Sequence, residues 1–311
     1  MNKNQYNNIL VVKHGSLGDI AFSLLAMASI KKKFYNAKID LLTEAKYENF
    51  LSKSDHFTNI IQDNRGGVLS SLKIIYKLNR KKYDLIIDLQ NSKRTNNYWF
   101  LLKLISKVTI NGSRSNSDIK YTIPPQGKES PQRGLYNQLK LIGINNFVQD
   151  INWLSIDTLE IKGGKIILMI PCVSKSGKHK QWSPNKFGEL AKTLEKKGYQ
   201  ICIVGQESDK ETLDPIVKSC DKIINLTGKS PPEIIYSLSK ISDLIISNDT
   251  GPGHIAALSH SPILFLGKDN VVSKSNLSEY KNAYKILTDS MDKLSIKTVI
   301  DFLNEKKLIS K

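Results

Sequence analysis

A chain of 311 residues with 40% hydrophobic content exceeds the size of one growing core and is too apolar to be disordered, so two globular domains are expected. Its 46 basic and 29 acidic side chains give a net charge of +17, which favours an anionic partner unless the lysines are simply solvated surface. The first 157 residues hold 23 basic and 12 acidic groups (+11) and the remainder 23 and 17 (+6), so the N-terminal half is the more basic. The polar start Met1–Gln5 is not a signal peptide, no apolar run reaches the roughly 20 residues of a spanning helix, and Cys172, Cys202 and Cys220 lack CxxC spacing. A cytoplasmic protein with reduced cysteines is expected, held at most on the inner face of a membrane.

The first strand is expected at Ile9–Val12, running into His14-Gly15-Ser16-Leu17-Gly18-Asp19 and a helix near Ile20–Lys33. Strands follow at Lys38–Leu42, Ile60–Gln62, Leu85–Leu89 and Val108–Asn111, with helices near Tyr47–Lys53, Val68–Asn79, Tyr98–Ser106 and Gln132–Leu141. Residues 144–164 are irregular and form the expected linker between domains at 1–150 and 164–311. The alternation then restarts with strands at Ile166–Ile170, Ile201–Val204, Ile223–Leu226, Leu244–Ser247 and Ile263–Leu266. Helices are expected near Pro184–Lys197, Lys210–Ser219, Pro231–Lys240 and Gly253–Leu258, and a last amphipathic one, Ser295–Lys306, is expected to pack back across the linker. Continuous apolar strands imply parallel sheets covered on both faces. The fold class is therefore α/β, two doubly wound domains facing one cleft, with ligands outside the carboxyl ends of the strands.

Two strand-to-helix junctions carry glycines and an acid. In the first, Asp19 is either a carboxylate stabilising a helix N-terminus or a general base aimed at a ligand. In the second, Asp249-Thr250-Gly251-Pro252-Gly253-His254 offers backbone N–H groups, a hydroxyl and an imidazole, a set suited to a diphosphate; a plain helix-opening turn needs neither both glycines nor the histidine. Lys180, just before the Ser183-Pro184 helix start, is a solvated loop lysine or a cation for the same phosphates, and Glu207 lies past a strand end where a ribose could bind. Gly228-Lys229-Ser230 lacks the upstream glycine of a P-loop, and Gly15 and Gly18 alone do not make GxGxxG.

Val11-Val12-Lys13-His14-Gly15-Ser16-Leu17-Gly18-Asp19 resembles the opening of the family 9 glycosyltransferases, the heptosyltransferases of lipopolysaccharide core assembly. Further agreement lies in Tyr83–Gln90, Lys180-Gln181-Trp182-Ser183-Pro184, Asn225–Lys229 and, most strongly, Ser247–Ala257. The resemblance implies a GT-B architecture of two Rossmann-like domains and inverting sugar transfer from an ADP-heptose-type donor, with no cofactor or required metal. It implies Asp19 as catalytic base beside Ser16 and Gly18 in an acceptor-side loop. It also implies Lys180, Thr250, Gly251, Gly253 and His254 around the donor diphosphate, Asp249 near the donor sugar and Glu207 on the ribose. The implied acceptor is a lipopolysaccharide core or other lipid-linked or oligosaccharide glycan, reached at an anionic membrane surface; no nucleic-acid partner is expected. Segments 172–179 and 268–270 depart from the family's usual form. A sugar-nucleotide epimerase of the same fold and a basic nucleic-acid-binding module are the alternatives, though no nucleic-acid motif is present.

Overall fold

The computed structural model describes residues 6–149, 151–156, 161 and 164–310. The chain divides into two units, 1–153 and 154–311. Within the expected linker, residues 150, 157–160, 162 and 163 lie outside the described residues, as does the polar start at 1–5.

The first unit runs β1 (Asn8–Val12), α1 (Leu17–Lys33), β2 (Lys38–Thr43), α2 (Glu48–Leu51), β3 (Asn59–Gln62) and α3 (Val68–Lys81). It continues with β4 (Leu85–Asp88), α4 (Lys93–Ile105), β5 (Thr109–Gly112), β6 (Ile119–Lys120) and α5 (Pro131–Lys140). The strands form one parallel sheet in the order β3-β2-β1-β4-β5-β6. Leu10 and Val12 point to the side where Ile74, Ile75 and Leu78 of α3 meet Tyr98, Trp99 and Leu102 of α4. The pleat sends Ile9 and Val11 to the other face, and they are equally buried, which is why the strand reads as an unbroken apolar run.

The second unit runs β7 (Lys165–Ile170), α6 (Pro184–Lys196), β8 (Tyr199–Gly205), α7 (Lys210–Val217), β9 (Ile224–Thr227) and α8 (Pro232–Ile241). Then come β10 (Leu244–Asn248), α9 (Gly251–Ala257), β11 (Ile263–Lys268), α10 (Val271–Asn276), β12 (Ala283–Thr288) and α11 (Ile296–Glu305). Its parallel sheet has the order β12-β11-β10-β7-β8-β9. Counted from the first strand of each half, the two orders are identical, with a reversal between the first and fourth strands. An aspartate ahead of that fourth strand braces the start of the first in both: Asp84 Oδ2 accepts from Asn7 and Asn8 N–H at 2.9 Å, and Asp243 Oδ2 from Ile166 N–H at 2.8 Å.

The edge strands β6 and β12 and the short helix α10 were not expected from the sequence. All six residues of β12 are only half-buried, so it shows no apolar run. In the terminal helix α11, Val299 and Leu303 are fully buried in the core of their own unit with Trp182, Phe187, Leu190 and Leu194. All three cysteines are free and buried, and burial pushes the thiols of Cys172 and Cys202 up to about 12, so they behave as core side chains.

Candidate active site

In the first unit, β1 is followed by Lys13 and His14, both buried, before Gly15 turns the chain at a φ of 115°. That left-handed backbone suits glycine, and a Cβ there would also sit 2.6 Å from the Asp19 carboxylate. Ser16 then caps α1: its Oγ accepts from Asp19 N–H at 3.3 Å, and Asp19 Oδ2 accepts from Ser16 N–H at 2.7 Å. This is a reciprocal capping box. Ser16 Oγ–H also donates to Asp19 Oδ2 at 2.7 Å, so that one oxygen serves the whole turn. Among the described residues none donates a hydrogen bond to Oδ1, and Asp19 is half-buried, so the second oxygen remains available. Asp19 is therefore part of the cap, while its second carboxylate oxygen is not used by it. Ser16 is exposed, while Gly18 is buried in the first helical turn.

The loop is braced from three sides. Gln90 Oε1 accepts from His14 N–H at 3.0 Å, Glu44 Oε1 accepts from Gly15 N–H at 3.1 Å, and Tyr47 donates to the Gly15 carbonyl at 3.0 Å. Lys13 donates across to the Leu89 carbonyl at 3.2 Å; burial lowers its pKa, opposed by the charges of Asp19 and Asp88. His14 lies 3.5 Å from the buried Asp63, yet burial outweighs that carboxylate and Glu44 and holds the imidazole down at about 4. Asp88 is also pushed up by burial, although Trp99 Nε1 donates to it at 2.7 Å. Local spacing does not mark Glu44, Tyr47 or Gln90 for this role; they come together only through the strand order.

In the second unit, β10 delivers Asn248, Asp249 and Thr250 to the start of α9. Asn248 is fully buried; its Nδ2 donates to the Pro171 carbonyl at 2.6 Å and its Oδ1 accepts from Trp182 N–H at 3.1 Å. It thereby clamps both ends of the loop that carries Lys180. The Lys180 ammonium reaches Asp249 Oδ2 at 3.4 Å. Ser273 of α10 donates to the same oxygen at 3.1 Å, and His254 Nε2 stands 3.2 Å from Oδ1. His254 Nδ1 in turn meets the Tyr280 hydroxyl at 3.2 Å, and its ring packs against Tyr280 and Phe265. Burial would raise the Asp249 pKa, but the His254, Lys180 and Ser273 contacts outweigh it and hold it down at about 2. The carboxylate is ionised and fixed.

Thr250 is the N-cap residue of α9, as one sequence reading has it, but its side chain makes no capping hydrogen bond. Gly251, half-buried, opens α9. Gly253 has a packing reason: a Cβ there would lie 2.4 Å from Ser247 Oγ and 2.9 Å from the Phe265 ring. His254 is 3% exposed and directed at Asp249 and Tyr280. Glu207 stands apart, exposed at the end of β8 beside Gly228. Since β7 lies between β8 and β10, a ligand must span roughly 10 Å to touch both Glu207 and Asp249. Ser273 and Tyr280 went unseen in the sequence. Both follow the unusual segment 268–270, where Asn270 caps α10 by accepting from Ser273 N–H at 2.9 Å; an asparagine three residues before a serine was the available signal.

Comparison with known proteins follows the same outline. The model of Glycosyltransferase family 9 (heptosyltransferase) matches residues 71–266. Lipopolysaccharide heptosyltransferase 3 of Escherichia coli (strain K12) is 25% identical over 281 residues, covering 80% of this chain and 79% of that protein. Among solved structures, the Escherichia coli ADP-heptose lps heptosyltransferase II has a TM-score of 0.73 at 20% identity, over 96% of this chain and 98% of its own. The Escherichia coli heptosyltransferase WaaC with ADP-2-deoxy-2-fluoro heptose has a TM-score of 0.76 at 16% identity, over 96% and 99%. The fold is GT-B: two Rossmann-like domains, each a six-stranded parallel sheet.

Proposed function

This chain belongs to glycosyltransferase family 9, the heptosyltransferases, and we propose that it moves a heptose-type sugar, with inversion, from an ADP-sugar to a lipopolysaccharide core or related glycan. One observation carries the reading: Asp249 keeps His254 on one oxygen and Ser273 on the other even if Lys180 leaves it. Lys180 is therefore a cation that a diphosphate can recruit without stranding a buried carboxylate. The relative solved with an ADP-heptose analogue supports a donor of this chemistry.

In the proposed reaction the second unit holds the donor. Lys180 and the Thr250 hydroxyl meet its diphosphate, Asp249 faces the sugar, and Glu207 takes the ribose. Gly251 and Gly253 keep the backbone close, and His254 positions Asp249. From the first unit, the free Oδ1 of Asp19 takes the proton of the acceptor hydroxyl as that oxygen attacks the anomeric carbon. The bond from that carbon to the diphosphate oxygen breaks on the opposite face, and ADP leaves with the electron pair. Stabilising that departing charge is the largest contribution expected in such a transfer. We place the reaction at the cytoplasmic face of a membrane, where a lipid-linked acceptor would lie; the +17 charge supports an anionic surface. No helix among the described residues is long and apolar enough to cross one.

Calorimetric titration with ADP-, GDP-, UDP- and CDP-sugars tests the donor. Preferential binding of ADP-heptose, with ADP released only when a core glycan is added, is expected. Turnover without an acceptor would point to an epimerase instead, and tight salt-sensitive nucleic-acid binding without nucleotide-sugar binding would point to a basic binding module.

A further inference from the structure

Helix α3 has three faces rather than two. At about 100° per residue, Ile74, Ile75 and Leu78 fall on one arc and are buried against the sheet and α4. Val68, Leu69, Leu72 and Tyr76 fall on a second arc of about 100°, and they are 77%, 77%, 48% and 64% exposed. Lys73, Lys77, Arg80 and Lys81 fill the third arc, all exposed. Arg80 lies over the Tyr76 ring, joining the apolar stripe to the basic one, while Lys81 is engaged by Asp40.

The neighbouring α4 adds Phe100 and Leu104, one turn apart and more than half exposed. Arg94 of α4 donates to Ser71 of α3 at 3.3 Å, tying the two helices together at that level. Neither helix contains an aspartate or a glutamate. A stripe this apolar is unusual on a protein surface, and a basic border free of acidic residues is what an interfacial helix carries.

We propose that the outer face of α3, continued by Phe100 and Leu104 of α4, docks into an anionic lipid bilayer, the aliphatic stripe entering the headgroup boundary and Lys73, Lys77 and Arg80 meeting lipid phosphates. Charge decides the occupant. A second copy of this +17 chain would set one basic border against another, whereas an anionic bilayer matches both the apolar and the basic stripe. The inference rests on the reading of a lipid-linked acceptor and adds where on the chain the membrane is met. It differs from attraction by net charge alone, in which any lysine run, Lys31–Lys33 included, contributes and the apolar side chains do not matter.

The test is co-sedimentation of the full chain with vesicles of equimolar phosphatidylglycerol and phosphatidylethanolamine, against phosphatidylcholine alone. The expected result is binding to the anionic vesicles that drops at high salt but does not vanish. The Leu69→Asp/Leu72→Asp variant should lose at least tenfold in vesicle affinity while binding ADP and turning over a soluble deacylated acceptor as the parent does. As a measurement independent of lost folding, Leu72→Trp should show blue-shifted emission on anionic vesicles only. Unchanged vesicle binding by the double aspartate variant, no blue shift, or a self-association that this variant abolishes would each overturn the proposal. So would binding lost on charge reversal of Lys31–Lys33 but indifferent to Leu69 and Leu72. Failure of the functional reading itself looks different: no ADP would be released from ADP-heptose with any acceptor, whatever the vesicles show.

Discussion

His254 holds Asp249 by its Nε2, 3.2 Å from Oδ1, with the imidazole stacked on Tyr280 at 5.7 Å between centroids. The histidine is thereby turned toward the carboxylate inside its own unit. It orders an acid, and the acid in turn holds Lys180 at 3.4 Å.

Replacing Lys180 by alanine should weaken binding of ADP and of the ADP-sugar by about 1.5–3 kcal/mol, the range for a charge-assisted hydrogen bond. Adenosine affinity should not change. Calorimetry with all three ligands separates a phosphate contact from loop shaping, for which the three would fall together.

The Asp249 pKa of about 2, below the ordinary 3.8, makes a stability statement with a definite sign. The stabilisation is complete above about 3.8 and is lost as pH falls toward 2. Its size is about 2 kcal/mol. Thermal unfolding of the parent between pH 4 and pH 2 should therefore drop more steeply than that of Asp249→Asn. Parallel curves would mean that the contacts to His254, Lys180 and Ser273 do not favour the ionised form.

His14 acts in a different window. Its folded pKa of about 4 lies below the ordinary 6.5, because burial outweighs Asp63 and Glu44, with Arg65 and Lys13 adding to the lowering. The unfolded chain takes a proton first, so stability should decline from pH 6.5 to pH 4, by about 3 kcal/mol at most. A His14→Asn variant should flatten that part of the unfolding curve; an unchanged slope would assign the decline to other groups.

Asp19→Asn separates cap from base. The amide oxygen can still accept from Ser16 N–H, so thermal stability should fall by no more than about 1 kcal/mol. Turnover should fall by a factor of about 10² or more, since an amide cannot take the proton. Near-normal turnover would reduce Asp19 to a capping residue.

Gly253→Ala places a methyl 2.4 Å from Ser247 Oγ and 2.9 Å from Phe265. Overpacking of this kind costs about 1–3 kcal/mol. Adding Ser247→Ala should restore part of the loss in denaturant unfolding, and no restoration would place the clash on the ring.

The strands covered on both faces were legible, because burial on two sides leaves no polar position to interrupt the run; β10 and β7 are cases. The glycine junctions were legible because each needs small residues beside an acid. Helix α4 begins at Lys93, earlier than the expected Tyr98, since its first turn is polar and only the capping pair Ser92 and Thr95 marks it. The contacts of Ser273 and Tyr280 could not be read, even though Asn270 marked a helix start before Ser273. The two residues reach Asp249 and His254 through the return of the chain after β11, and periodicity reports on one element at a time.

The shared strand order has a consequence for how the two halves differ. In each, a lysine from the first strand's side of the reversal reaches the fourth strand's side: Lys13 to the Leu89 carbonyl, Lys180 to the Asp249 carboxylate. A backbone carbonyl has no other role to be freed for, and Lys13 is 8% exposed, so that lysine works as a fixed rivet. A carboxylate with other donors can let its lysine go, and Lys180 keeps 27% of its side chain in contact with solvent. The lysine is thus fixed in one half, whereas in the other it is held by a shared carboxylate and stays partly open to solvent.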